Sequence, residues 1–97
     1  MRVFQDSEGR EIRLTDERNA HIVTRHPEVF EIEGAIELTL SAPDFVRQSR
    51  YDIETAIYYR FFQGLETSGA WVRVVVALKD DDAFILTAMT TRRIQLG

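Results

Sequence analysis

Two histidines, His21 and His26, stand five residues apart in a segment, residues 17–28, that also holds Glu17, Arg18, Arg25 and Glu28. On an α-helix Arg18, His21 and Arg25 fall at i, i+3 and i+7 and make one cationic stripe, with Glu17 one turn before His21. Imidazole moves a proton near neutral pH, and guanidinium stabilises charge growing on phosphorus. A histidine between arginines is therefore the apparatus of metal-free phosphodiester cleavage. The same spacing also suits a solvated surface helix carrying a Glu17–His21 ion pair, the commoner use of such residues. His26 shares the Ile22 side of the helix and fits a histidine meeting the carbonyls at a helix end.

The elements that must position this stretch can be read from turn chemistry and periodicity. Residues 3–6 and 11–14 flank Asp6-Ser7-Glu8-Gly9-Arg10 and predict a short opening hairpin. Thr15 or Asp16 caps a helix over residues 17–26, which must stop before Pro27. Ile32, Ala35, Ile36, Thr39 and Leu40 recur at helical spacing and predict a second helix over residues 31–41. Four strands then follow, over residues 45–48, 55–62, 70–79 and 83–91. A hairpin loop is expected over residues 64–69, a turn at Asp80-Asp81-Asp82, and a fraying tail over residues 92–97. The expected fold is α+β: an amino-terminal hairpin and two helices, followed by a four-stranded antiparallel sheet, in a single domain over residues 1–97.

Alternation assigns the faces of that sheet. Ala70, Val72, Val74, Val76 and Leu78 make a core face, which turns Trp71, Arg73, Val75 and Lys79 outward. In the preceding strand Ile57, Tyr59 and Phe61 share one face and Tyr58 and Arg60 the other, with Glu54 beside them. The last strand is apolar on both faces; with Phe84, Leu86 and Ala88 inward, Thr87 and Thr91 point outward. The expectation is one polar surface of Tyr58, Arg60, Arg73, Thr87 and Thr91. Arg60 beside two tyrosines also fits a solvent-facing side chain whose stem lies on aromatic rings, and Trp71 fits packing as well as base stacking.

Composition bounds the function classes. The net charge is −4, which argues against a general nucleic-acid coat. The acids are concentrated early, however: residues 1–49 hold ten acids and six bases, and residues 50–97 hold six of each. Eleven of the twelve bases are arginine, the residue suited to planar phosphate contact, so a local anion site is permitted. There is no cysteine, which removes disulfides and thiolate metal sites. No His-Glu-x-x-His run, glycine-rich phosphate loop, calcium-loop carboxylate pattern or Ser-His-Asp signal is present, and neither metal nor cofactor is expected. The longest apolar run, Val74-Val75-Val76-Ala77-Leu78, is far short of a membrane span, and residues 1–7 hold no apolar signal stretch. The expected location is the cytoplasm, without a membrane partner.

The chain resembles the small phage-type nucleases of the barnase, EndoU, colicin and RelE superfamily. The residues that carry the resemblance are 6–10, Ile12-Arg13-Leu14-Thr15, the stretch 17–28 with His21, Arg25, His26 and Pro27, then Pro43-Asp44, Tyr58-Tyr59-Arg60, Val74-Val75-Val76 and Thr87-Ala88. The helical stretch and the Thr-Ala pair are its specific parts. The resemblance implies helices followed by a four-stranded antiparallel sheet, metal-independent endoribonuclease activity on RNA, and often a toxin role with a cognate antitoxin or an association with the ribosome. It implies a catalytic set of His21, Arg25 and Thr87, with Arg60 and Arg73 as looser matches; the helical stripe and the polar strand face add Arg18, Tyr58 and Thr91 to Arg60 and Arg73 as the expected substrate-binding residues, and His26 is the second candidate histidine. Ala88-Met89 departs from relatives that place an aromatic after the Thr-Ala pair. The alternative of another class is a non-catalytic domain of the same fold that binds an antitoxin, RNA or another protein.

Overall fold

The computed structural model describes residues 1–49, 52, 54–64 and 70–92. Strands β1 (Arg2–Gln5) and β2 (Glu11–Leu14) form the opening antiparallel hairpin. Its turn is closed by the Asp6 N–H donating to the Arg10 carbonyl at 2.9 Å, and Gly9 takes the positive φ of 83° that favours glycine. Helix α1 (Asp16–Arg25) starts where Thr15 Oγ1 accepts the Arg18 N–H at 3.2 Å, with Asp16 and Glu17 in the first turn. Thr15→Ala is expected to lower stability by about 1 kcal/mol in urea denaturation, with no change in the m-value.

The second helix is shorter than its periodicity suggests. Pro27–Glu31 winds as a single 3-10 stretch, and α2 spans only Ala35–Ser41. Gly34, in the left-handed region at φ 74°, stands immediately before α2 and separates the two. Strands β3 (Phe45–Gln48), β4 (Thr55–Phe62), β5 (Ala70–Lys79) and β6 (Asp82–Thr91) complete the order. Apart from Gly64 and Arg92, the loop expected over residues 64–69 and the tail expected over residues 92–97 lie outside the described residues. Among the described residues no helix is long and apolar enough to cross a membrane.

The sheet corrects the expected architecture. It has six strands in the order β1-β2-β6-β5-β4-β3, not four, and it is mixed, because β2 lies parallel to β6 through the pair Arg13–Phe84. The hairpin joins because it cannot stand alone. A two-stranded hairpin is marginal in water, whereas docking on the edge of β6 buries Phe4, Ile12 and Leu14 in the common core. The guanidinium of Arg13 grips both carboxylate oxygens of Asp82 and lies 6.0 Å from the Phe84 ring centroid, which pins the junction.

Helices cover one face only: α1 packs on β6, and α2 on β5, β4 and β1. Ile22, Val29, Ile36 and Leu40 meet Val72, Val74, Val76, Ile85 and Ala88 there. On β5 the inward residues are those expected from alternation. On β4 the parity is the reverse of the expectation: Ala56, Tyr58 and Phe62 belong to the helix-side core, and Ile57, Tyr59 and Phe61 turn to the other face. On β6 the register shifts by one residue: Val75 pairs with Thr87 but Val76 with Ile85, so Leu86 is the extra residue of a β-bulge. Ala83 and Ile85 therefore point inward before the bulge, and Ala88 after it. Phe84, expected inward, pairs with Ala77 on the open face.

Candidate functional site

Helix α1 inserts Ile22 fully into the core. At about 100° per residue, Arg18, His21 and Arg25 fall on the stripe bordering that buried line. Arg18 and His21 are half-buried and Arg25 is exposed. The Arg18 guanidinium donates from Nη1 to the Leu86 carbonyl at 3.3 Å and from Nη2 to Glu17 Oε1 at 3.2 Å. Glu17 thus pairs with Arg18, not with His21 as the surface-helix reading has it. Among the described residues neither His21 nor Arg25 has a side-chain hydrogen bond or ion pair.

The Arg18–Leu86 contact sets Arg18 against the backbone of the bulge, one residue from Thr87, whose side chain lies on the face opposite α1. The Thr87 hydroxyl is buried there without a hydrogen-bond partner, in a strand where such oxygens are ordinarily satisfied. Arg73 and Thr91 share the open face with Thr87, through the register pairs Val75–Thr87, Arg73–Met89 and Trp71–Thr91. Arg73 donates from Nε to the Tyr59 hydroxyl at 3.2 Å, and its Nη1 lies 3.7 Å from Met89 Sδ. Because the Thr87 hydroxyl is unpaired, Thr87→Val is expected to leave urea stability unchanged or raise it by up to about 1 kcal/mol. A loss of that size would reveal a partner for the hydroxyl in solution.

Two residues of the expected polar surface stand instead on the helix side of the sheet, the side of α1. Arg60 pairs with Val72, so it faces the helices; its Nη1 donates to the Ala42 carbonyl at the end of α2, and its guanidinium lies 5.6 Å from the Phe62 centroid. Tyr58 pairs with Val74 and is buried in the core. The single polar surface of Tyr58, Arg60, Arg73, Thr87 and Thr91 is therefore divided by the thickness of the sheet. The cause is the reversed parity of β4, whose faces are both rich in aromatic and aliphatic side chains. His26 closes the end of α1, its N–H donating to the Ile22 carbonyl at 2.7 Å, with Nδ1 3.6 Å from Glu28 Oε2.

Asp6 is the chemically loaded residue that sequence reasoning passed over as a turn former. It is 5% exposed. One oxygen accepts the N–H groups of Glu8 and Arg10 at 3.0 and 2.8 Å; the other accepts the Tyr58 hydroxyl at 2.6 Å and lies 3.3 Å from Arg10 Nη1. Burial by itself pushes the Asp6 carboxyl up. The hydrogen bonds from Tyr58, Arg10 and Glu8 and the charge of Arg10 outweigh it and hold the carboxyl below its ordinary value. Burial, then the hydrogen bond and negative charge of Asp6, push the Tyr58 phenol far above its ordinary value, so Tyr58 stays a neutral donor. The network is a clasp between the hairpin turn and β4, with its proton inventory fixed.

No group of three or more histidine, aspartate or glutamate side chains among the described residues is disposed to hold a metal ion. Comparison of the chain with known protein families, curated proteins and solved structures gives no match. The chemistry of α1 and β6 is thus the ground on which a function must be argued.

Proposed function

We propose that the chain is a metal-independent endoribonuclease whose site lies where α1 meets the bulged part of β6. The observation that carries this reading is the Arg18–Leu86 contact, which fixes the first residue of the Arg18, His21 and Arg25 stripe on the backbone of the bulge, one residue from Thr87. His21 accepts the proton of the RNA 2′-hydroxyl, and that oxygen attacks the adjacent phosphorus. Arg25 and Arg18 from the helix stabilise the charge on the phosphorane, and Thr87, with Arg73 beyond it on the open face, reaches the phosphate round the edge of β6. The 5′-oxygen leaves with a proton, giving a 2′,3′-cyclic phosphate and a 5′-hydroxyl. Thr91 borders the same face, whereas Tyr58 and Arg60 take no part. In the cytoplasm such an enzyme acts as a toxin held in check by a cognate antitoxin protein, on free RNA or at the ribosome.

The test is cleavage of mixed RNA by substoichiometric purified protein in excess chelator, with the product ends identified. Cyclic phosphate ends are expected. RNA that stays intact, or cleavage that chelator abolishes, overturns the reading. Thr87, Arg73 and Thr91 lie on the face opposite the helices, so they meet His21 only round the edge of β6, and this favours, as second reading, a non-catalytic domain that binds RNA or an antitoxin. Such a domain retains RNA stoichiometrically and never turns it over.

A further inference from the structure

The open face of the sheet carries more than the cleavage chemistry uses. Three rows cross it in register: Phe61, Trp71 and Thr91; then Phe45, Tyr59, Arg73 and Met89; then Arg47, Ile57, Val75 and Thr87. None of these side chains is acidic, in a chain whose net charge is −4. The first two rows share an aromatic cluster. Phe61 and Trp71 centroids are 5.3 Å apart with the rings at 70°, Phe45 lies 5.4 Å from Trp71, and Tyr59 lies 5.1 Å from Phe45. Phe61 remains 42% exposed and Trp71 is half-buried, while Tyr59 is fully buried beneath them. Arg47 is exposed and its guanidinium stands 5.3 Å from the Phe45 centroid.

Exposed rings interleaved with arginines, in three rows without acidic side chains, complement a polymer that is anionic along its backbone and presents flat apolar rings. We infer that this face binds single-stranded RNA, with unpaired bases stacked on Phe61 and Trp71 and the backbone drawn along by Arg47 and Arg73. A duplex offers no base faces to such a platform. Trp71 and Val75, the partner of Thr87, are four residues apart on β5, about 13 Å. A strand whose scissile phosphate sits at Thr87 thus lays a neighbouring base on the rings. The inference rests on the nuclease reading only for that placement, and it supplies the aromatic contact that Ala88-Met89 leaves out.

Trp71 is the only tryptophan of the chain, so intrinsic fluorescence reports on the platform directly. The experiment titrates the whole protein with a short single-stranded 2′-O-methyl RNA, which lacks the attacking hydroxyl and cannot be cleaved by the proposed route, and with the same sequence as a duplex. Saturable quenching by the single strand is expected, with much weaker response to the duplex. Phe61→Ala is expected to weaken binding about tenfold or more, Phe61→Tyr to restore it, and His21→Ala to leave the stacking signal in place. Equal quenching by duplex, no quenching by the single strand, or full affinity in folded Phe61→Ala overturns the platform. Cleavage without single-strand quenching overturns this inference and leaves the nuclease standing, whereas single-strand quenching without cleavage overturns the nuclease and leaves the platform.

Discussion

His21→Ala is expected to slow RNA cleavage by about 10²- to 10⁴-fold, the range lost when a positioned proton-transfer group is removed. The folded protein should hardly notice the change. His21 is half-buried, and among the described residues its side chain makes no hydrogen bond or ion pair, so urea stability is expected to move by no more than about 0.5 kcal/mol. The informative comparison is Arg60→Ala, assayed at a temperature where the variant is folded. Arg60 faces the helices and holds the end of α2, so its loss reads in stability and leaves the cleavage rate of the folded protein unchanged. Cleavage equal in wild type and His21→Ala moves the chemistry off α1. Cleavage lost in Arg60→Ala places Arg60, which shares the helix side with α1, in the site and refutes its purely structural role.

Asp6→Ala is expected to destabilise the fold by about 3–5 kcal/mol, as removal of one partner from a buried charge-assisted network does. Four groups lose an acceptor at once: the Tyr58 hydroxyl, the Arg10 guanidinium, and the amides of Glu8 and Arg10. Tyr58→Phe removes one donor and leaves three, and about 2 kcal/mol is expected. Urea denaturation measures both, and equal stability of Asp6→Ala and wild type would show that the clasp contributes nothing. The pH dependence has a definite sign. The folded carboxyl lies below its ordinary value of 3.8, so the folded state binds fewer protons than the unfolded one. The stabilisation is complete above that value and is lost as pH falls through the lower folded one. The acid limb of the stability curve should be shallower in Asp6→Ala.

Strand and helix boundaries are legible where a local physical signal exists. The alternation of Val72, Val74 and Val76, and the proline that stops α1, each act within a few residues, and β2 to β5 have the ends expected of them. The hairpin's place in the sheet is not legible, because a parallel partner some 70 residues away leaves no trace in local periodicity. On β4 the aromatic side chains suit either face. What decides is that Tyr58 finds Asp6 inside the fold, and Asp6 reads locally as a turn residue. On β6 the parity changes at Leu86, and a strand that switches faces halfway reads as apolar on both. The candidate site follows the same division. The stripe on α1 is visible as a spacing, while the Arg18–Leu86 contact, and the separation of Arg60 from Thr87 by the sheet, depend on the bulge and on β4.

The parallel pairing of β2 with β6 also dictates an order of events in time. Arg13 and Phe84 are separated by most of the chain, and contacts of such long sequence separation form late because the loop between them must first be closed. As the chain emerges during synthesis, the hairpin and α1 appear first and have no sheet edge to dock on until β6 follows. A growing polypeptide therefore carries the cationic stripe without the strand that would complete the proposed site. Activity of the proposed kind would begin only once β6, the last of the described strands, has been made and has docked, which delays any harm to the RNA being translated.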